Sequence, residues 1–299
     1  MATAKVVRSD RTKAERKLGM MLCAPAAIVM LAVTAYPILY AFFLSLKRAD
    51  LRFPANDKFI GFDNYVTVLT AHRWWTDVFH TLVLTIFSVG IELVLGMLLA
   101  LVMHRAIIGR GLIRTASLVP YGIVTVVAAF AWRLAFSGSE GGFVPHILNA
   151  TTDPLTKTWS LYGVAIFTEV WKTTPFMALL LLAGLSQVSD ELHEAAKVDG
   201  ASAWQRFWKI TVPLMKPAIL VAVLFRTLDA FRIFDTIYVL TASTQNRSIE
   251  TVSNLGYNSL LTQLNLGIGS AISVLIFLFV GIIAFVFLKL LGADPQQNQ

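Results

Sequence analysis

Residues 185–216 read LSQVSDELHEAAKVDGASAWQRFWKITVPLMK, a polar stretch set between two long apolar runs. On its own this stretch predicts two short helices joined by a sharp bend. Ser189 can cap a helix N-terminus, and Asp190 and Glu191 suit the positive end of its dipole. Glu194, Ala195, Ala196 and Lys197 continue as good helix formers. Gly200 offers a stop, because glycine takes positive φ at little cost. Ser202 can cap a second helix through Trp204, Phe207 and Trp208, and Pro213 and Pro217 mark the start of the next apolar run. Ala195 and Ala196 are small enough to let another protein approach closely. An interfacial helix with Trp204, Phe207 and Trp208 among lipid headgroups fits the same residues.

Working outward, the flanking runs recur. Apolar segments at about 18–46, 79–103, 114–136, 160–184, 217–240 and 267–291 are each long enough to cross ~30 Å of hydrocarbon at ~1.5 Å per residue. Each is expected to be helical, since lipid offers backbone N–H and C=O groups no partners. The composition agrees: of 299 residues, 56% are hydrophobic and 14% charged, against roughly 25% charged in soluble domains. The expected fold is therefore an all-α integral membrane protein with six transmembrane helices. Residues 1–17 form an N-terminal segment, 18–291 the membrane domain with 185–216 as its exposed element, and 292–299 a short tail. The first run is too long for a signal-peptide core of about 7–15 residues and reads as a retained span.

The net charge of +7 distributes by membrane side. With the N-terminus inside, fourteen of the 25 Lys and Arg residues fall on the inner side, seven on the outer side and four within spans. This bias places both termini in the cytoplasm and removes nucleic acid as a partner. Trp74, Trp75 and Trp159 stand where interfacial anchors belong, and residues 47–78 and 241–266 read as outer loops, the second polar and exposed through Ser243, Thr244, Gln245 and Asn246. The single cysteine, Cys23, allows no intramolecular disulfide and no cysteine-based metal site. The five histidines, His72, His80, His104, His146 and His193, show no metal-ligand spacing.

The spacing Glu194-Ala195-Ala196, three residues, Gly200, nine residues, Ile210, two residues, Pro213 resembles the EAA motif of ABC importer permeases. Val212 stands where the family usually has Leu, a mild departure, while Asp199 and Ala201 match the sugar-importing branch. AERKLGMMLCAPAAIVM at 14–30, VPYGIVTVVAAF at 119–130, EVWKTTPFMALLLLAGL at 169–185 and FRTLDAFRIFDTIYVLT at 225–241 extend the likeness to MalF-type sugar permeases over most of the chain. The resemblance implies a type I ABC importer permease fold in a bacterial plasma membrane, half of a path for a disaccharide, with trehalose favoured. It also implies a second homologous permease subunit, two cytosolic ATPase subunits and an extracytoplasmic sugar-binding lipoprotein as partners. Glu194, Ala195, Ala196, Asp199, Gly200, Ala201, Ile210 and Pro213 would couple to an ATPase. No Walker A occurs in this chain, so ATP and Mg²⁺ would be used by the partner ATPases and no cofactor bound here.

Charges inside spans cost about 2.5–3.5 kcal/mol each on insertion scales, so each needs a reason. The fifth span carries Arg226, Asp229, Arg232 and Asp235 at intervals of three with alternating sign; the fourth carries Glu169 and Lys172, and the second Glu92. Helical rise puts Glu92, Lys172 and Asp229 near mid-depth. These ions can pair i to i+3 and tie helices together. Alternatively they line a sugar path, with Trp171, Phe231, Phe234 and Tyr238 supplying ring faces for C–H surfaces. The resemblance adds Ala230, Arg232 and Ile233 by position, because a related maltose permease holds its substrate in that part of the fifth span; its Asn residues are not matched in kind here. The substrate-path candidates are then Glu169, Trp171, Lys172, Asp229, Ala230, Arg232 and Ile233. Two other functions fit a polytopic chain: an ion-coupled secondary transporter using buried carboxylates, and a membrane-embedded enzyme. The first predicts inverted repeats, which the sequence does not display, and the second needs a catalytic constellation for which Glu92 and Asp229 lack a third partner.

Overall fold

A computed structural model describes residues 10–105, 110–147, 152–242 and 248–292. The chain runs α1 (Asp10–Ser45), a two-stranded ribbon β1 (Lys47–Arg48) and β2 (Lys58–Phe59), α2 (Asp63–Thr70), α3 (His72–Arg105), α4 (Arg110–Gly122) and α5 (Thr125–Phe136). It continues through α6 (Phe143–Ile147), α7 (Thr158–Leu185), α8 (Asp190–Val198), α9 (Ala203–Arg206), α10 (Val212–Ala230), α11 (Asp235–Ala242), α12 (Val252–Tyr257) and α13 (Leu266–Gly292). Among the described residues five stretches are helical, long and apolar enough to cross a membrane, within α1, α3, α7, α9–α10 and α13, and the bent pair α4–α5 would make a sixth.

Two expected spans are broken. The run at 114–136 divides into α4 and α5, which meet at 90°. The run at 217–240 stops at Ala230; residues 231–234 leave the helix, and α11 restarts at Asp235. The freed carbonyls are satisfied from elsewhere in the chain. The Thr251 hydroxyl donates to the Ile233 carbonyl at 2.9 Å, and the Asn254 amide is a second donor, at 3.4 Å, to that of Phe234, which already accepts the Tyr238 N–H. These donors belong to the region expected to be an exposed outer loop, and that expectation is corrected for its later part. Ile249, Thr251, Val252 and Asn254 are buried, and α12 is packed into the bundle. Ser243, Thr244, Gln245, Asn246 and Arg247 lie outside the described residues, as do residues 1–9 and 293–299. Trp74 is also not an interfacial anchor: it is 1% exposed and packs against Phe279, whereas Trp75 and Trp159 are exposed.

Of three apolar core clusters among the described residues, two lie along α3 and α7, one in each half of the bundle, while the third joins α2, α12 and α13. In one of the two, Met97, Ala100 and Met103 of α3 meet Met177, Leu181 and Leu185 of α7 and Met215 of α10. In the other, Leu84 of α3 and Leu161 and Ala165 of α7 meet Ile233, Ile237 and Leu240. α3 and α7 therefore run side by side in the same direction. Small residues permit the close approach, as in membrane bundles generally. A Cβ added at Gly184 of α7 would lie 2.3 Å from the Ala218 Cβ of α10, while one at Gly90 would meet nothing within 4 Å. Gly184→Val is thus expected to force α7 and α10 apart and lower stability by roughly 1–3 kcal/mol or more. Gly90→Ala is expected to be neutral or slightly stabilising. Thermal unfolding of the detergent-solubilised protein distinguishes them, and equal melting of the two variants would contradict this packing.

Candidate functional site

Between the two apolar halves lies a charged layer centred on Arg226 of α10, which is 1% exposed. Its Nε donates to Glu92 Oε2 of α3 at 2.5 Å, and Nη2 to Glu92 Oε1 at 3.0 Å. Nη2 also reaches Glu169 Oε2 of α7 at 3.1 Å, and Nη1 reaches Asp229 Oδ2 one turn ahead at 2.8 Å. One guanidinium thus holds carboxylates from three helices, a use of its fan of donors that an ammonium would not match. Hydroxyls take up remaining acceptor capacity: Thr173 donates to Glu92 Oε1 at 2.7 Å, and Thr236 of α11 to Glu169 Oε1. Arg226 was visible in the sequence only as an i,i+3 partner of Asp229. Its long-range bonds to Glu92 and Glu169, and the part of Thr173 and Thr236, carry no local signal.

The layer opens into a cleft of about 570 Å³. Among its walls are Glu169, Lys172, Asp229, Arg232 and Ile233, five of the seven substrate-path candidates. The helix breaks form the rest, with Gly122, Ile123 and Val124 at one and Phe234 at the other. Trp171 and Ala230 do not line the cleft. Trp171 lies on an apolar surface beside Leu95 and Phe167 and meets Trp132 edge-on at 5.4 Å; Ala230 is buried in the core. Glu169 and Lys172 do not pair, and neither do Arg232 and Asp235 among the described residues. The Lys172 ammonium sits over the Tyr121 ring at 5.7 Å, and Arg232 Nε donates to the Leu228 carbonyl at 3.2 Å. Lys172 and Arg232 therefore keep donor capacity toward the cleft, and Asp229 remains largely exposed although it touches Arg226.

The second candidate region is the turn between α7 and α10, and local bonds secure each of its corners. The Ser189 hydroxyl accepts from the Glu191 N–H at 3.2 Å, capping α8. Gly200 has φ +81°. Around it, the Ala201 N–H donates to the Ala196 carbonyl at 2.9 Å and the Gly200 N–H to that of Lys197 at 3.1 Å, the paired bonds of a Schellman stop. Ser202 and Gln205 form a reciprocal capping box on α9. A π turn at Phe207–Thr211 leads into α10, with Pro213 in its first turn. Glu194, Ala195, Asp199, Gly200 and Pro213 are exposed, and Ala196, Ala201 and Ile210 half-buried. Glu194 makes no hydrogen bond or ion pair among the described residues; it lines a cavity of about 680 Å³ with His104, Arg105 and Arg206. Val198, 88% exposed, stands out among unpartnered apolar side chains, with Trp204 and Trp208 beyond it. The motif spacing passes over Val198, and no other sequence signal selects it.

Among the described residues no group of three or more His, Cys, Asp or Glu side chains is arranged to hold a metal ion. Comparison with known proteins then gives the family. Residues 92–294 match the binding-protein-dependent transport system inner membrane component family. The trehalose transport system permease protein SugA of Mycobacterium tuberculosis is 56% identical over 292 residues, 98% of this chain and 94% of the relative. The trehalose/maltose transport system permease protein MalF of Thermococcus litoralis is 40% identical, covering 92% of this chain and 94% of that one. A solved bacterial ABC transporter involved in the import of the acidic polysaccharide alginate has a chain that superposes with TM-score 0.79 at 23% identity, covering 96% of this chain and 100% of that one, a likeness of fold. From the match over 92–294 and relatives similar almost end to end, the chain belongs to the inner-membrane permease components of binding-protein-dependent ABC importers, which are transport subunits rather than enzymes.

Proposed function

We propose that this chain forms half of the translocation path of an ATP-driven disaccharide importer, with trehalose as its substrate. The observation that carries the reading is that α7 and α10 hold both functional regions. Glu169, Lys172 and Thr173 sit on α7 and Asp229 at the end of α10, all at the cleft; the opposite ends of the two helices are joined by the α8–α9 turn. A push on that turn reaches the cleft along two helices tied to each other by Arg226. The cleft chemistry suits a polyol: Lys172 and Arg232 donate, Asp229 and Glu169 accept, and charge-assisted bonds to hydroxyls are strong where water is scarce. Its volume lies in the about 300–1,000 Å³ range of small-molecule sites. Both relatives described above carry trehalose in their names, which supports that sugar.

In this reading both termini face the cytoplasm and a second homologous permease completes the path. A sugar-binding lipoprotein delivers substrate from outside. Two cytosolic ATPases, which use ATP and Mg²⁺, seat the turn through Glu194, Ala195, Ala196, Asp199, Gly200, Ala201, Ile210 and Pro213. Trehalose uptake by the reconstituted complex with its binding protein tests the assignment. Asp229→Asn and Arg232→Ala are each expected to reduce initial uptake about tenfold, consistent with ~1.5 kcal/mol for a lost charged hydrogen bond. Wild-type uptake by both variants, present at normal levels, would remove the cleft from the path.

A further inference from the structure

Three aromatic rings lead away from the charged cleft on the side opposite the α8–α9 turn. Phe234 lines the cleft itself. Tyr238, one turn along α11, stacks on it with centroids 5.2 Å apart and an interplanar angle of 24°. Tyr257 of α12 meets Phe234 at 4.9 Å and Tyr238 edge-on at 5.4 Å. Tyr238 in turn lines a second cavity of about 480 Å³, whose polar wall includes Glu250, Asn254 and Asn258. Leu161, Tyr162 and Ala165, from the start of α7, pack with the α11 residues Ile237 and Leu240, so this cavity belongs to the far half of the bundle.

We propose that this second cavity is a separate carbohydrate station, at which a sugar is held against Tyr238, itself braced by Tyr257, before it passes Phe234 into the cleft. The proposal rests on the sugar-import reading and adds a site to it. A pyranose has apolar C–H faces and a rim of hydroxyls, so it needs rings and hydrogen-bonding groups side by side. Tyr238 is 45% exposed in a cavity with a carboxylate and amides, which supplies that combination. A cation is disfavoured, although rings and a carboxylate could otherwise hold one. The Glu250 carboxylate is already paired with Arg73 and accepts from the Asn258 amide, so its oxygens are engaged and offer a cation no free carboxylate. A neutral polyol has no such requirement.

The station is also preformed. The Glu250 N–H donates to His80 Nδ1 at 3.3 Å and the Val252 N–H to the Thr81 hydroxyl at 3.1 Å, fixing the start of α12 to α3. Thr251 caps α12 by accepting from the Asn254 N–H at 3.3 Å. Asn258 then opens a π turn, a distortion frequent at functional sites. Tyr257 is thereby held in place, with little ordering left for a ligand to induce.

The test is uptake of radiolabelled trehalose by the complete reconstituted transporter with its binding protein. The variants are Tyr238→Leu/Tyr257→Leu, which keeps apolar bulk without rings, and Tyr238→Phe/Tyr257→Phe, which keeps the rings. The expected result is about a tenfold fall in initial uptake for the Leu pair, with at least half retained by the Phe pair. Saturation-transfer NMR on the complex without binding protein should show transfer from aromatic protons to trehalose that falls at least twofold in the Leu pair and is preserved in the Phe pair. Normal uptake by the Leu pair while Asp229→Asn is impaired overturns the station and leaves the cleft standing. A wild-type complex that imports neither trehalose nor maltose overturns both.

Discussion

Arg226→Ala is expected to cost roughly 3–5 kcal/mol of stability and to abolish transport, the penalty for removing one partner of a buried ion pair. Its loss leaves Glu92 and Glu169 buried with no guanidinium between α3 and α7. The comparison that makes this specific is Glu92→Gln. With Arg226 charged and its three acidic partners ionised, the cluster has an excess of negative charge, so neutralising Glu92 brings it closer to balance. Gln can still accept one of the bonds now made to Glu92. Glu92→Gln should therefore be clearly milder than Arg226→Ala. Fluorescence-detected size exclusion and thermal unfolding of the two proteins measure the ranking. Equal damage would mean that shape rather than charge holds this layer together.

The second large effect is expected at the α8–α9 turn, and it should spare the fold. Gly200 is left-handed at φ +81°, where a β-branched side chain costs about 1–3 kcal/mol, and no tertiary neighbour would meet its Cβ within 4 Å. Gly200→Val should thus open the Schellman stop and change the direction in which α9 leaves, without disturbing the core. Glu194→Lys reverses an exposed charge that has no partner within the described chain. Both variants are expected to insert normally and melt near wild type. In the reconstituted complex they should lose at least tenfold in trehalose uptake, and sugar should no longer stimulate ATP hydrolysis. Wild-type coupling in both would sink the assignment of this turn to the ATPase. A collapse of melting temperature would instead make it a folding element.

The contrast between these regions explains how far the sequence could be read. The turn is built from contacts within about six residues: Ser189 to Glu191, Ala201 to Ala196, Ser202 to Gln205. Caps and glycine stops of this kind leave local signatures, so both short helices and their bend could be anticipated. The break after Ala230 could not. Residues 231–234 contain neither Pro nor Gly, and the interruption is supported from a distance, by the Thr251 hydroxyl on the Ile233 carbonyl 18 residues upstream. The α4–α5 break was more legible, with Pro120 and Gly122 beside it, although apolar composition alone ran straight through. Among the candidates at the cleft, charge at costly depth singled out Glu169, Lys172, Asp229 and Arg232. It did not distinguish the residue that organises the layer, Arg226, from those that face open space. Trp171 lies away from the cleft because a helix turns by about 100° per residue, which puts the position before Lys172 on a different face.

The bonds around Arg226 also bear on the biosynthesis of the chain. Glu92 and Glu169 leave the ribosome before Arg226, by 134 and 57 residues respectively. During that interval α3 and α7 each carry a carboxylate whose cation has not yet been made, and the membrane interior penalises each of them. The bundle can close in its final register only once α10 arrives. A nascent chain truncated before Arg226 therefore presents quality-control machinery with exposed intramembrane acids, and a completed one hides them. A single late cation thus reports that three separately inserted helices have come together.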